Sequence, residues 1–268
     1  MTYLPLQPPS IQNGVQDSHY RYREYKPGKH LTSYVACYWT LEFQGNGHSK
    51  SHRIIPDGCV DMIFDLKAQT VSQAALVAGL MTAYETMDLT RNQSVFGIRF
   101  FSDQARRFFK HPVSELGGGV VFLEDVLGKE AALIVEKVQA ANDVSEIIEQ
   151  VELVLSNRLP NDDMPADRLL QSAMRIMYAN QGIISVRSLA EKLSYSERNV
   201  SRVFRTELGV GPKELLGIIQ FQCLLGELYR APNSRLTDVA VKYGYFDQSH
   251  FIHSFKRLYG LSPVQLFK

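Results

Sequence analysis

The sequence has few cysteines and no long apolar run, and these absences exclude several classes of protein. The 268 residues include three cysteines, which form neither a CxxC pair nor an even set, so the chain is not a disulfide scaffold. The longest apolar run, 74–81, is far shorter than the ~18 residues of a membrane-spanning helix. The first residues lack the basic and apolar regions of a secretory signal. We therefore expect a reduced, cytoplasmic protein with no membrane partner.

The net charge of +1 hides two parts of opposite sign. Residues 167–268 contain 14 Lys/Arg and 8 Asp/Glu, a net charge of +6, whereas the rest of the chain sums to −5. Such asymmetry indicates a nucleic-acid-binding module joined to another domain. The polar segment SNRLPNDDMPA, with two prolines, separates the parts. We predict an N-terminal domain over 1–157, a linker over 158–166 and a DNA-binding domain over 167–268.

The N-terminal part is predicted to contain short strands followed by helices. β-branched and aromatic runs, separated by turn residues, predict strands at 20–25, 31–43, 59–66, 75–80, 84–90 and 95–101. Short strands at this spacing favour a sandwich or barrel. Helices are predicted at 102–110, at 129–141 and from Asp143 onwards. The last helix has an apolar stripe that packs either on the strands or on a second subunit, formed by Ile147, Ile148, Val151, Val154 and Leu155.

An internal repeat dominates the C-terminal part. The pattern of 186–215 recurs in 236–266, first at an offset of fifty residues and, after one insertion, at fifty-one. A capping residue, an aromatic, a basic residue, a glycine and a proline recur in one order. They are Ser196, Phe204, Arg205, Gly209 and Pro212, and then Asp247, Phe255, Lys256, Gly260 and Pro263. Apolar matches alone occur between any two amphipathic helices, but this ordered set indicates two copies of one unit.

Each copy is predicted to form a helix-turn-helix. A short helix (186–193 or 236–243) and a turn precede a second helix (196–207 or 247–258), which begins at the capping residue and ends at the glycine. We call these second helices the reading helices, because one face of each is polar and basic and suits base edges and phosphates. The predicted DNA-binding residues are Arg198, Asn199, Ser201, Arg202, Arg205, Gln248, Ser249, His250, His253, Lys256 and Arg257.

The helix predicted between the two copies, over 213–230, sets the spacing of the reading helices. At 1.5 Å per residue it is about 27 Å long. With the widths of the flanking units, the reading helices would lie about 34 Å apart, which is one turn of DNA. Both could therefore enter successive major grooves on one face of the duplex.

Residues from about 170 to 268 resemble the C-terminal DNA-binding domain of AraC/XylS-type transcription regulators, a tandem helix-turn-helix. The segments SLAEKLSYSERNVSRVFRTELGVGPKELL and LTDVAVKYGYFDQSHFIHSFKRLYGLSPVQLF carry the resemblance. It implies double-stranded promoter DNA and RNA polymerase as partners. Gln220-Phe221 stands where the family usually has Arg-Leu, which puts a salt bridge or phosphate contact there in question. The resemblance implies base-facing positions at Arg198, Ser201 and Arg202 in the first reading helix and at Gln248, Ser249, His250 and His253 in the second.

The N-terminal half resembles, more loosely, the sensor region of a subset of these regulators. HRIIPDGCVDMIFDL (52–66), Gly79-Leu80 and GIRFF (97–101) carry this resemblance. It implies a cupin-like β-barrel with trailing helices that senses a small molecule or forms a homodimer, and it identifies no ligand. The expected fold class is therefore α+β in two domains, a β-barrel followed by an all-α tandem helix-turn-helix.

No metal, cofactor or catalytic site is predicted. No His-x-His motif or nucleotide-binding signature occurs, and the N-terminal histidines are dispersed at His19, His30, His48, His52 and His111. Asp57 is expected in a Pro-Asp-Gly turn, with Asp61 and Asp65 pointing to solvent or bonding backbone. Three residues are candidates for ligand binding. Arg53 and Arg99 meet either an anionic ligand or solvent at strand edges, and Trp39 lines either a pocket or the core.

Two hypotheses of function remain from the sequence. The first is a sequence-specific transcription regulator. The second is an enzyme, either a cysteine-dependent repair protein or a cupin-type metal enzyme, with a DNA-targeting C-terminal domain. The repair enzyme would need a nucleophilic cysteine beside a histidine or basic residue, but Cys37 lies among apolar residues and Cys59 has no such neighbour in sequence. We therefore predict a regulator and no enzyme.

Overall fold

The computed structural model describes residues 3–11, 18–45, 47, 49–109, 111–117, 119–159, 168–231, 235–245 and 247–267. The predicted linker 158–166 is described only at 158 and 159, and His48 lies outside the described residues. The described chain has an α+β fold with two parts, a β-rich N-terminal part and a helical C-terminal part. None of the described helices is both long enough and apolar enough to cross a membrane.

The N-terminal part contains eight strands among its described residues, two of which were not predicted. The strands at 50–54 and 120–122 are short and lack a clear alternation of apolar residues, so the pattern did not reveal them. The strands are β1 (Tyr20–Tyr25), β2 (Val35–Phe43), β3 (Lys50–Ile54), β4 (Cys59–Asp65), β5 (Ala75–Ala78), β6 (Glu85–Leu89), β7 (Gln93–Phe101) and β8 (Val120–Phe122).

These strands form two separate sheets. The large sheet has the order β1-β2-β7-β4-β5-β8 with antiparallel neighbours, and the small sheet consists of β3 and β6. No strand pairing among the described residues joins the sheets, so the predicted closed, cupin-like barrel is not confirmed. Between β3 and β4 the chain turns at Pro56-Asp57-Gly58, where Gly58 has a φ of +72°, and this turn transfers the chain from the small sheet to the large one.

Strand alternation divides the large sheet into two faces. On β7, Phe96, Ile98 and Phe100 are buried in the main core, which also contains residues from the helices. The intervening positions, including Val95 and Arg99, face the small sheet. Trp39, Leu41 and Phe43 of β2 belong to a second apolar cluster on that face. A Cβ at Gly97 would overlap the Trp39 ring, so glycine is required where the indole crosses β7.

The helices agree closely with the predicted spans. No individual span was predicted for four helices, α1 (Pro8–Ile11), α3 (Leu123–Leu127), α6 (Arg168–Ala179) and α12 (Pro263–Leu266). The remaining bounds are α2 (Ser102–Phe109), α4 (Glu130–Ala140), α5 (Val144–Arg158), α7 (Val186–Leu193), α8 (Glu197–Leu208), α9 (Pro212–Arg230), α10 (Leu236–Lys242) and α11 (Gln248–Tyr259).

The apolar stripe of α5 packs inside the chain. Asp143 caps this helix as predicted, accepting a hydrogen bond from the Glu146 amide. Ile147, Val151 and Leu155 are buried in the main core, and the face they form meets α4 and the large sheet. Of the two roles considered for the stripe, packing within the chain is the one observed. This face is therefore not available to a second subunit.

Candidate DNA-binding surface and cavity

The first reading helix, α8, is capped at both ends by the residues that the repeat predicted. The Ser196 side chain accepts a hydrogen bond from the Asn199 amide, and Gly209 ends the helix with a φ of +78°. Val200, Val203 and Phe204 are buried, which leaves the opposite face outward. That face carries three exposed arginines, Arg198, Arg202 and Arg205, with the half-buried Asn199 and Ser201.

Arg202 is the most restrained of these arginines. Its Nη2 donates to Oδ1 of Asn199 at 2.9 Å, one turn back along the helix. This contact orients an exposed guanidinium before DNA is present, and guanidinium groups suit the O6 and N7 acceptors of guanine. The helix begins just before these residues, so its positive N-terminal end also favours phosphate.

The second reading helix, α11, has the same kind of cap and terminal glycine as α8 but exposes different side chains. Asp247 accepts from the Ser249 amide, and Gly260 ends the helix with a φ of +86°. Phe251 and Phe255 are buried. The exposed residues are Gln248, Ser249, His250, His253, Lys256 and Arg257.

Arg257 differs from the other predicted DNA-binding residues, because it contacts the N-terminal half. Its Nη1 donates to the Thr82 carbonyl at 3.2 Å and lies 3.6 Å from a carboxylate oxygen of Glu214. A phosphate contact by Arg257 would have to replace these partners. The assignment of the eleven residues to DNA stays a prediction. The other ten also lie on α8 and α11.

The N-terminal half holds the C-terminal ends of both reading helices. At the end of α8, Arg106 of α2 forms an ion pair with Glu207 at 2.6 Å, and the Ser114 hydroxyl donates to the Thr206 carbonyl. At the end of α11, the Tyr84 amide donates to the Arg257 carbonyl at 3.2 Å. The sequence alone did not predict these contacts, because their partners are about a hundred or more residues apart.

Arg53, predicted as a ligand candidate, lies at this contact and not among the residues that line the cavity described below. Its Nη1 donates to the Tyr259 carbonyl at 2.8 Å. The guanidinium lies 5.6 Å from the Tyr84 ring centroid and 5.4 Å from that of Tyr259, within the range of cation–π attraction. Arg53 therefore joins the small sheet to the end of α11.

Helix α9 provides a further link that sequence reasoning missed. The buried Gln222 side chain accepts from the Leu6 amide at 2.8 Å and donates to the Pro56 carbonyl at 2.8 Å. Its neighbour Gln220, at the position that departs from the family pattern, donates to the Tyr243 carbonyl and so supports the turn of the second unit. The sequence did contain a signal for this contact, because Gln222 lies within the apolar run of α9. A polar side chain at such a position is expected to be buried and therefore to need a hydrogen-bond partner.

A cavity of about 400 Å³ lies between the large and small sheets. The large sheet contributes Trp39, Asp61 and Arg99, while the small sheet contributes His52 and Met87. Of the three ligand candidates, the structure thus places Trp39 and Arg99 at the cavity. The lining mixes aliphatic side chains with a few charged groups, as is usual for small-molecule sites.

Arg99 is held by three carboxylates. Its Nε lies 3.1 Å from Asp57 and 3.2 Å from Asp61, and its Nη1 lies 3.6 Å from Glu24. Asp57 is in the predicted turn, but the expectation for Asp61 was wrong, because strand alternation on β4 turns it inward to Arg99. Asp65 bonds backbone as expected, accepting from the Lys67 amide.

Burial shifts several pKa values around the cavity. Desolvation raises the pKa of Asp61, and the Arg99 charge opposes that shift. The pKa of His52 is lowered to about 4 by burial and by Arg99, so its imidazole is neutral at pH 7. The Tyr20 hydroxyl shares a hydrogen bond of 2.9 Å with Nδ1 of His52.

The cysteines lack the features of a nucleophile. Burial raises the pKa of Cys37 to about 12 and that of Cys223 to about 11, and it raises the pKa of Cys59 as well. A thiol with a raised pKa is protonated at neutral pH and reacts slowly. Within the described residues, no group of three or more His, Cys, Asp or Glu side chains is placed to hold a metal ion.

Comparison with known proteins matches two segments of the chain. Residues 189–268 match a family described as a helix-turn-helix domain, and residues 23–122 match a domain of unknown function, DUF6597. A Haemophilus influenzae protein named as an uncharacterized HTH-type transcriptional regulator is 31% identical over 101 residues, covering 38% of this chain and 34% of the relative. An Escherichia coli K12 protein, YkgA, whose name also contains HTH-type transcriptional regulator, is 28% identical over 106 residues, covering 39% of this chain and 44% of the relative. The chain thus spans less than half the length of these relatives.

A solved structure of ToxT from Vibrio cholerae also resembles the chain. It has a TM-score of 0.41 and 12% identity, and the match covers 93% of this chain and 98% of ToxT. Another ToxT structure was determined with an unsaturated fatty acid bound, which is a property of ToxT. The helix-turn-helix match and the named relatives agree with the repeat, the caps and the terminal glycines described above. The match therefore shows a helix-turn-helix domain over residues 189–268.

Proposed function

We propose that this chain is a sequence-specific DNA-binding transcription regulator whose N-terminal half senses a small molecule. The reading helices α8 and α11 would enter two successive major grooves of promoter DNA. Their exposed polar faces and the charge of +6 over 167–268 support this role. We assign the sensor to 1–157 and the DNA-binding domain to 167–268.

One observation carries the regulatory part of the proposal: the small sheet contacts the cavity with one set of residues and α11 with another. His52 and Ile54 of β3 line the cavity, whereas Arg53 between them bonds the last residue of α11. A ligand that moves β3 would therefore move a contact at the end of the second reading helix. Coupling of this kind commonly changes an affinity by about 5- to 150-fold.

The test is a binding-site selection from random DNA with the full chain, followed by affinity measurements on the selected site. We expect two preferred segments about 10 base pairs apart. Arg53→Ala should change the affinity several-fold although Arg53 lies on the N-terminal half. Arg21→Ala is the matched control, because Arg21 pairs with Glu42 on the exposed edge of the large sheet. Absence of any sequence preference would contradict DNA reading, and equal behaviour of the two variants would contradict the coupling.

The remaining partners rest on the family resemblance. RNA polymerase is proposed as a protein partner, and the proposed location is the cytoplasm, where promoter DNA lies. A homodimer is proposed through a surface other than the apolar stripe of α5, because that stripe is buried within the chain. Light scattering of the full chain at micromolar concentration, with and without the selected DNA, tests this last point, and a monomer under both conditions would exclude it.

A further inference from the structure

We propose that the cavity between the two sheets binds an organic cation with an apolar body, such as an arylalkyl ammonium ion. The inference rests on the sensing function proposed above and names the chemical class of its ligand. Four observations support it: the charges that line the cavity, the carboxylates that already surround the Arg99 guanidinium, the aromatic rings next to Asp61 and the volume of the cavity.

The charges that line the cavity are predominantly negative. Among the described residues, the charged groups of the lining are four carboxylates and one guanidinium, namely Asp57, Asp61, Asp65, Glu85 and Arg99. His52 adds no positive charge at neutral pH, since its pKa is lowered to about 4. A cation entering from water would lose hydration but gain attraction to the excess of carboxylates, whereas an anion would lose hydration and meet repulsion.

Arg99 is not free to bind an anion. Asp57, Asp61 and Glu24 all lie within 3.6 Å of its guanidinium nitrogens, and the side chain is 3% exposed. Three carboxylates around one guanidinium leave negative charge uncompensated. A ligand ammonium beside Asp61 would supply part of the missing positive charge and would form charge-assisted hydrogen bonds.

An aromatic wall adjoins Asp61. The Trp39 indole Nε1 donates to Oδ1 of Asp61 at 3.3 Å, and the Trp39 and Tyr22 rings are stacked with centroids 6.0 Å apart. Both rings line the cavity. Aromatic faces attract cations, and this attraction increases where water is excluded. The carboxylate and the rings therefore favour the same charge at the same place.

The rest of the cavity suits an apolar body of limited size. Aliphatic side chains such as Leu41, Ile63 and Met87 line it on both sheets. A volume of about 400 Å³ falls within the usual range for small-molecule sites, about 300–1,000 Å³.

Three probes with one apolar body and different head groups test the proposal. They are 4-phenylbutylamine, 4-phenylbutanol and 4-phenylbutyrate, which are cationic, neutral and anionic at pH 7.5. Calorimetry with the full chain should give a Kd for the amine about tenfold lower than that for the alcohol, as expected for a charge-assisted contact. The butyrate should bind more weakly than the alcohol.

Variants connect the preference to Asp61. Asp61→Asn should weaken the amine at least fivefold while changing the alcohol little, which a general loss of structure would not do. Asp65→Asn, which lines the cavity without contacting Arg99, should weaken the amine about twofold. The control is Asp88→Asn on β6, an exposed carboxylate outside the lining, and it should leave all three Kd values unchanged.

The outcomes separate this inference from the proposed function when DNA affinity is measured with the same probes. Equal or tighter binding of the butyrate, an Asp61→Asn variant with the wild-type preference, or no binding of the amine would each overturn the cationic class. If the butyrate or the alcohol binds best and changes DNA affinity, sensing stands and the ligand class is wrong. If the amine binds as expected while DNA affinity is unchanged, the cation site stands and the sensing role fails.

Discussion

The two helix-turn-helix units have the same arrangement of helices, caps and terminal glycines. They differ in the residues they expose and in the elements of the N-terminal half that contact them. The first exposes Arg198, Arg202 and Arg205, whereas the second exposes mainly neutral polar side chains. The first is held by α2 and the turn at 113–116, which belong to the main core. The second is held by Arg53 and Tyr84, next to the cavity. We therefore propose that the first unit supplies most of the sequence reading and that the second responds to ligand.

The largest expected effect is on the stability of the protein and concerns α2, the helix that contacts the first unit. Asp103 in its first turn is buried, and burial raises its pKa to about 6 while a hydrogen bond from Gln104 lowers it. An acid with an ordinary value of 3.8 when unfolded and about 6 when folded binds its proton more tightly in the folded state. Its contribution to stability is therefore full below pH 4 and is lost as the pH rises through 6.

Asp103→Asn removes this pH dependence. The variant should be more stable than the wild type at pH 8, by at most about 3 kcal/mol from a shift of about two pKa units, and the difference should disappear near pH 4. Denaturant titrations at several pH values measure it. Asp125→Asn is the control, because Asp125 is an exposed acid in the first turn of α3. If the free energy of unfolding changed with pH in the same way for the Asp103 variant and the wild type, the proposed pKa shift would be contradicted. The Asp103 carboxyl would then ionise in the folded protein with little loss of stability.

The next effect concerns reading by the first unit. Arg202→Ala should remove a guanidinium that Asn199 orients, and bidentate contacts to guanine contribute about 1–3 kcal/mol of discrimination. We expect relaxed preference at one or two base pairs, in a binding-site selection compared with the wild type. A uniform loss of affinity over all sequences would indicate that Arg202 contacts phosphate instead of a base.

The terminal glycines allow a matched comparison of how the two units are held. Both have positive φ, so alanine at either costs about 1–2 kcal/mol of backbone strain. A Cβ at Gly209 would lie 3.3 Å from Ser114, whereas one at Gly260 would lie within 2.5 Å of the Tyr84 ring. Gly260→Ala should therefore destabilise the protein more than Gly209→Ala in thermal unfolding. When Tyr84→Ala is combined with each glycine variant, the extra destabilisation by Gly260→Ala should decrease. If it stays the same, a clash between the new Cβ and the Tyr84 ring is contradicted.

The smallest effect concerns Lys256 near the end of α11. It is exposed, and unlike its neighbour Arg257 it bonds none of the described residues of the N-terminal half. Lys256→Ala should weaken binding to all sequences alike and lower the slope of log affinity against log salt by about one. Anisotropy titrations at several salt concentrations measure that slope. A selective loss at particular base pairs would instead place Lys256 at base edges.

Predictability differed between the two parts of the chain for a physical reason. The helical part was predicted closely because its signals are local: Ser196 and Asp247 cap the helices, and Gly209 and Gly260 end them. Five of the six described strands of the large sheet, all except β8, were also recognised from short patterns. The two short strands were missed, and the barrel was not confirmed, because strand pairing joins residues distant in sequence.

The site residues show the same distinction. The sequence identified Trp39 and Arg99 as candidates, yet it did not indicate that three carboxylates surround Arg99, which is the basis for proposing a cationic ligand. It also did not indicate that Arg53 contacts α11. Neither arrangement can be recognised from a short segment of the sequence, because the residues that meet are far apart along the chain.

By itself, the sequence determined the tandem repeat, the helix ends, the basic face of α8 and hence the helix-turn-helix domain, because caps, glycines and hydrophobic periods act over a few residues. Only the tertiary structure decided which charges meet in the cavity and which elements hold the reading helices. Such contacts join residues that are far apart in the sequence, for example 38 positions for Asp61 with Arg99 and 206 positions for Arg53 with Tyr259. They depend on how the sheets and helices pack, and packing is a property of the whole fold.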